Sequence, residues 1–237
     1  MRGTISSNTK PSRGGSISDA ITIQRSPSLA DEVYDVIFGQ LMALKIAPGS
    51  RITVDNLVRE LNVSHTPIRE ALGRLEGEGL VNKAHLVGYS AAPQISRRKF
   101  DELYELRLLL EPDAAKHAVA NMNETGMKEL QEAAGVMFRR DGTDERVRYS
   151  TFARQDAIFH DKILDLAGNQ LIRETLAHQH THFHIFRLMF HSRVTEEALD
   201  EHDAIVTAIS RGDAFGAEQA MRNHILHSRD RLLEAFD

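Results

Sequence analysis

The sequence predicts a mainly α protein: an N-terminal winged helix-turn-helix followed by a C-terminal all-α antiparallel six-helix bundle. Three observations predict it. Two short amphipathic segments, "TVDNLVRELNVS" and "HTPIREALGRLEGEGLV", follow each other directly, and the β-leaning "LVNKAHLVGYSAAP" comes next. From residue 97 onward apolar residues recur at helical spacing in six blocks with short polar breaks. The 237 residues include no cysteine, which excludes disulfides and Cys-based zinc sites.

Residues 1–26, rich in Ser, Gly, Thr and Arg, lack the apolar block of a secretory signal and read as a flexible tail. The winged head is expected over 27–95. Ser28 with Asp31 forms a capping box, and Val33, Ile37, Leu41 and Leu44 mark one helical face before "APGS" ends it. Thr53 caps the next helix, whose Leu57, Val58 and Leu61 face inward. Pro67 suits the first turn of the helix that follows, and Gly88 sits in a two-stranded wing. Pro93 to Ser96 forms the hinge to an effector- and metal-binding bundle over 96–237. Its helices are expected near 97–120, 124–139, 145–167, 169–191, 195–210 and 213–235.

The formal charge of −5 is unevenly spread, at +3 for the tail, −2 for the head and −6 for the bundle. A nucleic-acid-binding domain usually carries a basic balance, so any such role here rests on local placement. No apolar run is long enough to span a bilayer, so no membrane partner and a cytoplasmic location are expected.

Twelve histidines invite a search for metal ligands, and five of them fall in "LAHQHTHFHIFRLMFH", Leu176 to His191. At roughly 100° per residue, a helix puts His178 and His182 on one face and His180, His184 and His191 nearly opposite. These five cannot converge on one ion. The last three are expected to face solvent or a partner subunit, and one of the first two to line a pocket. Other positions are better placed. Phe152, Asp156, Phe159, His160 and Ile163 share a stripe of about 100°, so Asp156 and His160 point into the bundle. His202 shares a face with Leu199, Ile205, Val206 and Ile209, and His224 with Ala220, Met221 and Ser228. A single buried histidine is more often a hydrogen-bonded core residue. One buried carboxylate and three imidazoles from three helices favour a divalent metal instead, zinc ahead of nickel or manganese.

In "FDELYELRLLLEP", Tyr104, Arg107 and Glu111 share the inner face. Arg107 has two readings that need not exclude each other, an internal pair with Glu111 and a grip on an effector carboxylate. With Tyr104, Glu111 and His182 it forms the candidate effector site.

"VDNLVRELNVSHTPIREALGRLEGEGLV" resembles the DNA-binding domain of GntR-type bacterial transcription regulators, and "ISRRKFDELYELRLLLEPDAAKHAV" resembles the first helix of the FCD effector domain. The resemblance runs from about Leu29 to Leu233. It implies a homodimer on a pseudo-palindromic operator, gated by a small organic acid. It implies that Ser64, His65, Thr66 and Arg69 contact DNA, joined by Gly88 of the wing, and that Asp156, His160, His202 and His224 hold a divalent metal. Two positions depart from the pattern: His65 and Asp55 stand where relatives carry arginine. The expected function is a non-enzymatic transcriptional regulator, a repressor gated by a carboxylic acid beside the metal. A metal-responsive repressor without organic effector is the alternative, and a metallohydrolase a further one.

Overall fold

The computed structural model describes residues 27–137, 144–190 and 192–236; the tail over 1–26 and His191 lie outside them. Helix α1 (Leu29–Met42) opens with the expected capping box, Ser28 and Asp31 satisfying each other's backbone N–H. Strand β1 (Arg51–Ile52) leads into α2 (Val54–Leu61) and α3 (His65–Gly77), which form the helix-turn-helix. Between them the chain reverses at Asn62, whose left-handed backbone (φ 52°) suits asparagine better than most residues. Strands β2 (Val81–Ala84) and β3 (Gly88–Ala91) make the wing. With β1 they form a three-stranded sheet in the order β1-β3-β2, all antiparallel, with Arg51 opposite Ser90 and Asn82 opposite Ser90 on the other side. The two strands expected for the wing are both present, and β1 adds a third that the sequence reading missed. Two residues are too few to show a period of two.

The bundle comprises α4 (Arg97–Asn121), α5 (Glu124–Met137), α6 (Glu145–Ala167), α7 (Gln170–Ala177), α8 (Thr181–Phe186), α9 (Ser192–Ser210) and α10 (Ala214–Leu233). The fold class is as expected, but the single helix over 169–191 is two. The chain breaks at His180, which takes a left-handed conformation (φ 44°). The cause lies in the burial pattern. Leu176 packs in a small cluster with Ala114 and Leu164, whereas Ile185 belongs to the main core. Nine residues of straight helix put those two side chains about 180° apart. Only a break lets both be buried.

Head and bundle share one continuous core. The Phe38 ring of α1 meets Phe183 of α8 edge-on, with centroids 5.2 Å apart. The linker is held as well. The Gln94 amide donates to the carbonyls of Arg187 (2.7 Å) and Leu188 (3.0 Å), and Arg187 Nη2 donates to the Ala92 carbonyl (2.6 Å). Among the described residues, no helix is long and apolar enough to cross a membrane.

Candidate metal centre

Three helices converge on one buried point. Helix α6 supplies Asp156 and, one turn on, His160; α9 supplies His202 and α10 supplies His224. All four are buried, and one ligand atom from each lies within 4.8 Å of the others. His160 Nε2 stands 3.2 Å from His224 Nε2, and His202 Nε2 stands 3.3 Å from Asp156 Oδ1. Those separations suit the edge of a tetrahedron, about 3.3 Å when metal–nitrogen bonds are about 2.0–2.1 Å. The His160–Asp156 edge is wider, at 4.0 Å.

The far side of each imidazole is arranged too. His160 Nδ1 donates to Glu111 Oε2 (2.6 Å) and His224 Nδ1 to Glu201 Oε2 (2.9 Å). A proton on Nδ1 leaves the Nε2 lone pair aimed at the centre, as carboxylates behind metal-bound histidines do. Each carboxylate has its own guanidinium. Arg107 Nε donates to Glu111 Oε1 at 2.5 Å, and Arg231 donates to both oxygens of Glu201 at 2.6 and 2.9 Å. Burial pushes the Glu111 carboxyl up, but Arg107 and His160 more than offset it, so it stays well below the usual range. The same contest holds Glu201 near 2, with Arg231 and His224 overcoming burial.

Burial lowers His160 to about 3 and His224 to about 4, against the opposing pull of Glu111 and Glu201 respectively. Both rings are therefore neutral near pH 7, the state that binds metal. Burial raises Asp156, yet the imidazoles of His182 and His160 hold it well below the carboxylate range. The set is one carboxylate with three neutral imidazoles, a donor set that fits zinc and its first-row neighbours.

His202 tests that fit most sharply. It is fully buried, its ring 4.5 Å from Phe159 and 4.6 Å from His224, and neither nitrogen has a hydrogen-bond partner. The short approach to Asp156 is not a hydrogen bond. A buried polar group left unpaired costs roughly 1–3 kcal/mol, so an imidazole alone in this place is unexplained without a ligand.

A cavity of about 180 Å³ opens beside the centre, with Glu111, His160, His180, Thr181 and His182 in its wall. Of the expected effector residues, Glu111 and His182 are in the wall, while Arg107 and Tyr104 are not. Arg107 forms the expected pair with Glu111. The Tyr104 hydroxyl pairs with Ser228 Oγ at 2.8 Å. His182 Nδ1 donates to Asp156 Oδ2 at 2.6 Å, which ties α8 to the centre. His178 is exposed, with its Nδ1 2.5 Å from the Glu174 carbonyl. His180 and His184, expected to face solvent or a partner subunit, are instead half-buried beside Gly79, just past the end of α3. The break at His180 turns them there. Glu201, half of the support behind His224, escaped the sequence reading. The signal was present: it precedes His202 in "DEHD" and falls opposite His224.

The residues expected to contact DNA, Ser64, His65, Thr66, Arg69 and Gly88, are all exposed. Ser64 is the N-cap of α3. The two positions that depart from the resemblance meet, His65 Nε2 lying 2.8 Å from Asp55 Oδ1. Arg69 forms no ion pair or side-chain hydrogen bond among the described residues, so its guanidinium is available.

Comparison with known proteins agrees with this division. Residues 29–89 match the family described as "Bacterial regulatory proteins, gntR family", and residues 102–227 match the FCD domain. The HTH-type transcriptional regulator YdhC of Bacillus subtilis is 26% identical, over 80% of this chain and 84% of its own. LutR, an HTH-type transcriptional regulator of the same organism, is 26% identical over 81% of this chain and 96% of its own. Among solved structures, McbR of E. coli superposes with a TM-score of 0.64 at 21% identity, covering 90% of this chain and all (100%) of that one. At that identity the likeness speaks for the fold.

Proposed function

The chain belongs to the gntR family of bacterial regulatory proteins and carries an FCD domain, so it is a DNA-binding transcriptional regulator; on that premise we propose that a divalent metal and a small carboxylic acid in the bundle set how its heads engage operator DNA. Asp156, His160, His202 and His224 hold the metal, zinc ahead of nickel or manganese. When bound, the ion supplies a buried positive charge that draws an acid's carboxylate. Glu111 and His182 line the acid's cavity, Arg107 fixes Glu111, and Tyr104 braces α10 through Ser228. Ser64, His65, Thr66, Arg69 and Gly88 contact DNA in a homodimer that acts as a repressor.

The observation that carries the gating is that α6 bears both metal donors and the clamp on the head. Arg154, two residues before Asp156, lies over the rings of Phe38 (4.6 Å) and Tyr34 (5.1 Å) and pairs with Asp35 at 2.7 Å. Tyr34 in turn lies under Arg74 of the recognition helix, 4.2 Å from its guanidinium, and donates to Glu78 at 2.7 Å. Helix α8 supplies a parallel route, joining Asp156 through His182 at one end and the linker through Arg187 at the other. A ligand that moves α6 or α8 therefore moves the head, provided it favours one arrangement over the other.

A thermal-shift screen of small mono-, di- and hydroxycarboxylic acids, run with zinc and after chelation, tests this reading. An acid whose stabilisation requires the metal is expected. Stabilisation by metal with none by any acid would contradict the organic effector and leave a metal-responsive repressor.

A further inference from the structure

From the charges and walls of the cavity we infer that its effector is a monocarboxylate with an uncharged, largely apolar body, and that di- and tricarboxylates are excluded. This rests on the carboxylic-acid reading above and narrows it. No lysine or arginine is among the lining residues. Both lining carboxylates already have a guanidinium: Glu111 pairs with Arg107 behind it, and Asp161 accepts from Arg173 at 2.8 and 2.6 Å. Of the three lining imidazoles, those of His160 and His182 face Glu111 and Asp156, which leaves His180 as the one remaining lining nitrogen and no permanently charged group. One carboxylate can meet the metal, but a second would be buried without a cation of its own, which is costly.

The rest of the wall is apolar, comprising Ala157, Leu164, Leu176, Ala177 and Phe183. A hydrocarbon body is what such a surface stabilises, through area removed from water. At about 180 Å³ the space falls below the roughly 300–1,000 Å³ of drug-sized sites, so the body is short.

The test is calorimetry on the zinc-loaded full chain at about pH 8, where imidazoles carry little charge. Two matched pairs, butyrate with succinate and hexanoate with adipate, keep chain length and add only the second carboxylate. Each monocarboxylate is expected to bind at least tenfold more tightly than its partner. Succinate or adipate binding as tightly as its partner would overturn the inference while leaving the acid-gated reading intact. Binding of none of the four would instead count against that reading itself. Ala177→Lys, at an exposed position on the cavity rim, is expected to shift preference towards adipate by tenfold or more. An unchanged preference would contradict the placement of the apolar body against α7.

Discussion

Replacing His202 by alanine separates a metal ligand from a core residue, because the two roles predict opposite effects in metal-free protein. The imidazole is fully buried against Phe159 and His224, so its loss leaves a void. By analogy with large-to-small core changes the void costs roughly 2–5 kcal/mol. The same substitution removes two buried nitrogens that have no partner, each destabilising by roughly 1–3 kcal/mol. The two effects offset, so metal-free His202→Ala is expected to unfold within about 2 kcal/mol of the unsubstituted protein. With metal the outcome differs. An apparent site energy of about 10–16 kcal/mol shared by four donors assigns roughly 2.5–4 kcal/mol to each. Affinity is therefore expected to fall roughly a hundred- to a thousandfold. Competition against a chromophoric chelator measures that affinity, and denaturant titration with and without chelator measures both stabilities. His180→Ala, altering a cavity-wall residue that is not among the four donors, is the control and is expected to retain its metal. Equal metal affinity in the two variants would refute the assignment.

Further outcomes follow from the same geometry. Arg154→Gln removes the clamp between α6 and α1 and is expected to leave metal affinity within about twofold while weakening the effect of metal on operator affinity, the route through α8 remaining; anisotropy titrations with loaded and chelated protein check it. Acid should destabilise the metal-free protein. His160 and His224 have folded pKa values near 3 and 4, below the roughly 6.5 of the unfolded chain, so the unfolded state binds more protons as pH falls. Stability from their neutral burial is fully present above about pH 6.5 and declines by up to about 2.7 kcal/mol per pH unit towards pH 4. Urea titrations at stepped pH read that slope, and a flat profile would contradict the burial of neutral rings. Arg69→Ala is expected to cost about 1–3 kcal/mol of affinity for an operator selected from random duplexes, with circular dichroism unchanged.

Most of the fold was legible because long amphipathic helices declare their period. Helices α4 and α6 match expectation within a residue, and four inward-pointing groups could be found by intersecting the apolar faces of three helices. Periodicity failed where one segment serves two clusters. Leu176 and Ile185 each look correctly placed, and only the tertiary structure reveals that they bury in different places, which forces the break at His180. That break decides the fate of the histidine run, sending His182 to Asp156 and His180 and His184 to the head. The carboxylates behind the imidazoles were half legible. Glu111 was found as the partner of Arg107, but its bond to His160 spans 49 residues and leaves no local pattern. The pairing of Asp55 with His65 was likewise hidden, although each residue had been singled out alone.

Operator affinity of the full chain tests the central claim most directly, measured by anisotropy with metal-loaded protein, with chelated protein, and with loaded protein plus the acid that the screen selects. The account predicts that affinity for the selected operator changes at least fivefold between the loaded and acid-bound states, and that the acid has no effect after chelation. Identical affinity in all three states would contradict it, leaving a DNA-binding head unconnected to the centre beneath it.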